Sequence, residues 1–107
     1  MHPLQITEPA ERDIRSAYDW WSRNRSAEQA ERWYNNIYQA IETLRSKPSR
    51  CPHAPESNLH PSGLRQLLFG IGKHPTHRII FTIEEDTVTI IRVRHTSQQD
   101  LEVGDLT

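Results

Sequence analysis

The chain has 107 residues, with 13 Lys and Arg against 14 Asp and Glu, a net charge of −1 and a mean hydropathy of −0.78. That length supports one small domain, residues 1–107, with a core of modest size, and the balanced charge excludes a molecule that binds polyanions with its whole surface. No apolar run approaches the ~20 residues that span a bilayer, and the single cysteine, Cys51, excludes an internal disulfide. The start Met1-His2-Pro3-Leu4-Gln5-Ile6 has neither the basic residues nor the apolar stretch of a signal peptide, so a cytoplasmic location without a membrane partner is expected.

Leu4-Gln5-Ile6 is long enough for a first short strand. Thr7 then caps a helix, with Glu8 favoured by the helix dipole and Pro9 tolerated in the first turn. Ala10, Ile14, Ala17, Tyr18 and Trp21 recur at helical spacing and form one apolar stripe. Asn24-Arg25 breaks it, and Ser26 with Gln29 starts a second helix. Its stripe is Ala30, Trp33, Tyr34, Ile37, Ile41 and Leu44, and Lys47-Pro48 ends it. The connection is very short, so the two helices form an antiparallel hairpin.

From Pro48 to Pro61 the chain has four prolines and no periodicity, the mark of an ordered crossing loop. Leu64–Phe69 is the next strand, followed by a loose connection through Gly70-Ile71-Gly72-Lys73-His74-Pro75. His77–Ile83 and Val88–His95 are rich in β-branched and aromatic residues and read as a β-hairpin closed around Glu85-Asp86. A short helical or irregular tail begins near Ser97. The expected fold is α+β: a short N-terminal strand and an antiparallel helical hairpin packed on one face of a small antiparallel β-sheet, the other face partly open.

Charge is uneven along this order. Residues 63–95 hold Arg65, Lys73, Arg78, Arg92 and Arg94 against Glu84, Glu85 and Asp86, which crowd the hairpin tip. Period-two counting puts Arg78, Ile80 and Thr82 on one face and Ile79, Phe81 and Ile83 on the other, and separates Arg92 and Arg94 from Ile91, Val93 and His95. With Ile79, Phe81, Ile83, Ile91 and Val93 against the helices, the arginines gather on the open face. Unpaired they repel one another, so Asp100 and Glu102 of the tail, or a partner, are expected to supply carboxylates. His95 falls in core phase, as a satisfied buried histidine or as a residue beyond the strand end. Arg78 and Arg65 each have a plainer reading as an edge charge that blocks sheet-to-sheet pairing.

The strand-helix-helix-strand-strand-strand order, with Gly63-Leu64-Arg65, His77-Arg78-Ile79-Ile80-Phe81 and Val93-Arg94-His95 followed by Ser97 and Asp100-Leu101, resembles the RelE/ParE superfamily of toxins from type II toxin–antitoxin modules. The likeness covers nearly the whole chain. It implies a toxin that stops bacterial growth and is held as a hetero-oligomer by a cognate antitoxin. Two targets divide the superfamily: RelE-like members enter the ribosome and cut mRNA, whereas ParE-like members poison DNA gyrase.

On the nuclease side Arg78 would grip phosphate through its bidentate fork, His95 would carry a proton and Arg65 would neutralise charge. This chain departs from the RelE-like pattern. Lys73 stands alone before the hairpin, and Tyr18, Tyr34 and Tyr38 all lie in the helical region. Its charge also suits RNA poorly, and the balance favours ParE-like inhibition of gyrase, a non-enzymatic activity. Ribosome-dependent mRNA cleavage is the alternative, and a degenerate toxin that only binds antitoxin a further one. On the ParE-like side Trp20, off the first helix stripe, and Arg65, Arg78, Arg92 and Arg94 are the candidates for target or antitoxin binding. No cofactor is expected, and His74 and His77 lack the accompanying pattern of a metal site.

Overall fold

The structure, a computed structural model, describes residues 1–106. Strand β1 is Leu4–Ile6, helix α1 Glu8–Asn24 and helix α2 Ala27–Glu42; strands β2, β3 and β4 are Arg65–Phe69, His77–Glu84 and Thr87–His95. The sheet order is β1-β4-β3-β2. The strands β2, β3 and β4 are antiparallel, as expected, whereas β1 runs parallel to β4, so the sheet is mixed. The connectivity permits the parallel pairing, because the whole helical hairpin lies between β1 and the later strands and supplies the long connection it needs.

Local chemistry sets the element ends. Thr7 Oγ1 accepts from the Ala10 amide at the start of α1, and Ser26 Oγ accepts from the Gln29 amide at the start of α2. At the tip of the β3–β4 hairpin Glu85 and Asp86 have φ of 48° and 69°. Positive values at both positions match the right-handed twist of the flanking strands. The crossing loop forms short 3-10 turns at Pro48–Arg50 and Ser57–Leu59; further short turns are Thr43–Arg45 after α2 and Val103–Leu106 in the tail.

Two apolar clusters lie on opposite faces of the sheet. The larger joins Ala10 and Ile14 of α1 and Trp33, Ile37 and Ile41 of α2 to Ile79, Phe81, Val88, Ile90 and Val93. The smaller joins Ile80 and Ile91 to Ala54 and Leu64 from the crossing segment and Leu101 from the tail. The face expected to be partly open is therefore covered by the loop and the tail, which a helix-and-strand pattern does not reveal.

A register shift between Ile80 and Phe81 alters the phase of β4. Ile80 lies opposite Arg92, but Phe81 lies opposite Ile90, leaving Ile91 as the extra residue of a bulge. Ile90 thereby faces the helices, and Ile91 packs with Ile80 on the other side. Uninterrupted alternation assigns Ile91 to the helices, and the bulge corrects it. The same bulge lies where β1 ends. Beyond Ile6 the Thr7 amide and hydroxyl bond the Ile90 and Ile91 carbonyls, and the Asp13 carboxylate takes the Val93 amide at 2.9 Å. Helix α1 thus completes the hydrogen bonding of β4 where the short first strand stops.

Candidate functional site

Two regions gather the residues singled out in the sequence: the arginine face of the sheet and a groove beside α1. On the arginine face Arg78 lies opposite Arg94 and Ile80 opposite Arg92, so the three arginines share a side as their phase requires. None is a free cation. Arg78, 7% exposed, makes a two-pronged bond to Glu56, 4% exposed, at 3.0 and 2.6 Å, and a further bond to Gln66 Oε1 at 2.9 Å. Arg92 makes the same kind of pair with Asp13 of α1, at 2.7 and 2.9 Å. Arg94 reaches Asp105 at 3.5 Å, and Asp105 also stands 3.7 Å from Arg92.

The tail does fold back, as its acidity implies, and of the two acids expected there Asp100 approaches an arginine. Asp100 stands 3.9 Å from Arg78, and the closer tail contact is Asp105, while the Glu102 amide donates to Asp105. The acids that matter most, Glu56 and Asp13, escaped the sequence reading. Glu56 sits in a loop without periodicity, and Asp13 is one charge among many on a helix. The signal available was indirect: three arginines on one sheet face demand carboxylates from elsewhere.

Arg65 is not part of this row. It lies opposite Phe81 on the helix side of the sheet and donates to the Cys51 and Ser49 carbonyls at 2.6 and 3.2 Å. It ties the crossing loop to β2. Gly63 prepares that approach: its φ is 77°, and a Cβ there would stand 3.1 Å from Ser57 Oγ.

The groove, of ≈ 460 Å³, runs between α1 and the adjoining ends of β3 and β4. Trp20 and Trp21 line one side, with ring centroids 5.6 Å apart and planes at 89°, and His77 and His95 line the other. Trp20 is 47% exposed, and the Arg25 guanidinium stands 5.9 Å from its ring centroid. His95 is exposed at the strand end, where core phase lapses, and its Nδ1 accepts from the Ser97 amide at 3.1 Å. Its ring meets that of His77 at 5.2 Å. Arg78 and His95 project from opposite faces of the sheet, because the pair Arg78–Arg94 and the pair His77–His95 are successive positions. The three nuclease candidates therefore do not converge: Arg65 and Arg78 are each committed to internal partners, and His95 is apart from Arg78. Among the described residues, no group of His, Cys, Asp and Glu side chains could hold a metal ion.

The matched family is the ParE toxin of type II toxin–antitoxin systems, parDE, and the match extends over residues 4–100. The chain belongs to the ParE toxin family. Among solved structures, this ParE-family chain resembles one described as a chromosomal ParDE toxin–antitoxin system from P. aeruginosa, with a TM-score of 0.71 at 19% identity, covering 89% of this chain and 96% of that one. At that identity the likeness speaks for the fold. No curated protein matches the sequence. No helix among the described residues is long and apolar enough to cross a membrane.

Two titrations in the ParE-family chain carry a measurable consequence. Burial, reinforced by the neighbouring His95, pushes His77 down to about 4 from 6.5. The unfolded chain then binds a proton that the folded chain refuses, so stability is lost as pH falls from 6.5 toward 4. For Glu56, burial pulls the other way, but the Arg78 guanidinium and the Leu101 amide win and hold it at about 2 against 4.5. Its contribution is present above 4.5 and is lost as pH falls toward 2. The midpoint of thermal unfolding should accordingly fall in two stages, and His77→Phe should flatten only the first, as read by thermal melts from pH 7 to 3.

Proposed function

We propose that this ParE-family toxin arrests bacterial growth by acting on DNA gyrase in the cytoplasm, and that a cognate antitoxin neutralises it in a hetero-oligomeric complex. Family membership supports a toxin with an antitoxin partner. The choice of gyrase over mRNA rests above all on Arg78. A guanidinium that binds a substrate phosphate must present its fork to that phosphate, and here both arms of the fork are bonded to the buried carboxylate of Glu56. Arg65, the second candidate for neutralising phosphate, is directed at loop carbonyls on the other face. The groove with exposed Trp20 suits the antitoxin: an amphipathic segment that folds on binding can bury apolar side chains between Trp20, Trp21 and Val93.

The purified toxin should inhibit supercoiling by gyrase and leave mRNA uncut on translating ribosomes. His95→Ala, at an exposed position, should change gyrase inhibition by less than about threefold. Translation-dependent mRNA cleavage that falls about a hundredfold in that variant, the scale of a lost proton carrier, would replace gyrase with the ribosome as target. Expression without the antitoxin should stop growth, and co-expression should restore it. Normal growth at high soluble expression would leave a degenerate, antitoxin-binding protein.

A further inference from the structure

Once the ion pairs of the sheet are assigned, one cation is left poorly matched. Arg78 and Arg92 have acids supplied by the loop and by α1, Glu56 and Asp13, and keep them whatever the tail does. Arg94 differs. Among the described residues its one ion pair is with Asp105 at 3.5 Å, and its Nε is buried without a hydrogen-bond partner. Arg94 lies opposite Arg78, and the same face carries the apolar cluster of Ile80 and Ile91 with Ala54 and Leu64.

The segment lying on this face repeats one pattern. Asp100-Leu101 and Asp105-Leu106 each set an acid beside an apolar residue; Leu101 and Leu106 join the apolar cluster while the acids approach arginines. Its hold is light. Asp100 is 67% exposed and 3.9 Å from its partner, and Asp105 is 33% exposed at 3.5 and 3.7 Å. Pairs so long and so wet are weak. The firmer contacts are the Arg92 bond to the Asp105 carbonyl at 3.2 Å and buried Leu101, whose amide donates to Glu56 Oε2 at 2.9 Å.

We infer that Asp100–Leu106 is a resident pseudo-ligand, and that the face beneath it, centred on Arg94, receives an acidic–apolar peptide segment of a partner protein in its place. Release of the tail leaves Arg78 and Arg92 neutralised and frees Arg94 together with Ile80 and Ile91. A peptide with the same alternation of acid and apolar side chain restores what the tail gave, and a second acid can use the Arg94 fork more fully than Asp105 does. Nucleic acid fits less well, since Glu56 and Asp13 would face its phosphates and the apolar positions would gain no cover. The inference does not depend on whether gyrase or the ribosome is the toxin's target.

The probe is a fluorescent synthetic peptide of residues 98–107, added to the 107-residue chain. In the native chain the attached tail competes at an effective concentration in the millimolar range, so the probe should bind poorly. Asp105→Asn, which loosens the tail, should bind it about threefold more tightly, the scale of one weak ion pair, and the added change Arg94→Met should abolish the gain. Equal affinity for native and Asp105→Asn chains would overturn the inference, as would a preference for a single-stranded oligonucleotide over the peptide. A second measurement needs no variant: the Leu101 amide of the native chain should exchange with solvent about a hundredfold faster than that of Ile80, as for a locally opening segment. Equal protection of the two would make the tail a fixed part of the core and end the proposal.

Discussion

Glu56→Ala is expected to remove a large part of the stability of the chain. The substitution removes the carboxylate that both arms of the Arg78 fork grip, leaving a guanidinium in a region where it is 7% exposed. It also removes the acceptor of the Leu101 amide, which anchors the tail. Breaking one side of a buried pair costs about 3–5 kcal/mol, because the surviving charge cannot recover its hydration. Domains of this size hold only about 5–15 kcal/mol in total. Replacing both partners with apolar residues, Glu56→Leu with Arg78→Met, should recover most of the loss, since no charge is then stranded. Urea titration followed by tryptophan fluorescence measures both. A single-variant cost below about 1 kcal/mol would mean that water reaches Arg78.

Arg92→Glu is the second large effect, and it reverses what strand phase alone suggests. A charge on an open sheet face tolerates reversal, because exposed charges contribute little to stability. Arg92 is not such a charge. Its Nε and one terminal nitrogen bond Asp13 at 2.7 and 2.9 Å, and its other terminal nitrogen donates to the Asp105 carbonyl. A glutamate there would set a third carboxylate between Asp13 and Asp105 and pull Asp13 from the Val93 amide, the bond by which α1 completes β4. The expected cost is about 3 kcal/mol, visible as a fall in the urea midpoint. Arg94→Glu, whose partner is 3.5 Å away, should cost less than half as much. Equal costs at the two positions would make the Asp13 bridge unimportant.

The sequence by itself determined a good deal. The helical hairpin was legible because Ala10, Ile14, Trp33, Ile37 and Ile41 recur at a spacing that only one helix face satisfies, and they are the buried ones. The β3–β4 hairpin was legible because two β-branched runs flank a two-residue tip. Family membership was legible too, since the order of elements and the residues around Arg78 and His95 lie within a match covering residues 4–100. Placing Arg78, Arg92 and Arg94 on one face needed only the alternation of a strand.

Tertiary structure decided the rest, each time because two distant segments had to meet. The parallel pairing of β1 with β4 depends on a chain that returns after both helices. The bulge at Ile91 depends on where β1 stops and α1 takes over the edge of β4, which no local pattern encodes. Arg65, on the same strand alternation, turned out to serve the crossing loop on the opposite face. Above all, Glu56 is 22 residues from Arg78 in sequence and Asp13 is 79 from Arg92. Charge pairing across such separations follows the path of the chain in space. It is this pairing that turned a row of apparently available arginines into an internally neutralised face.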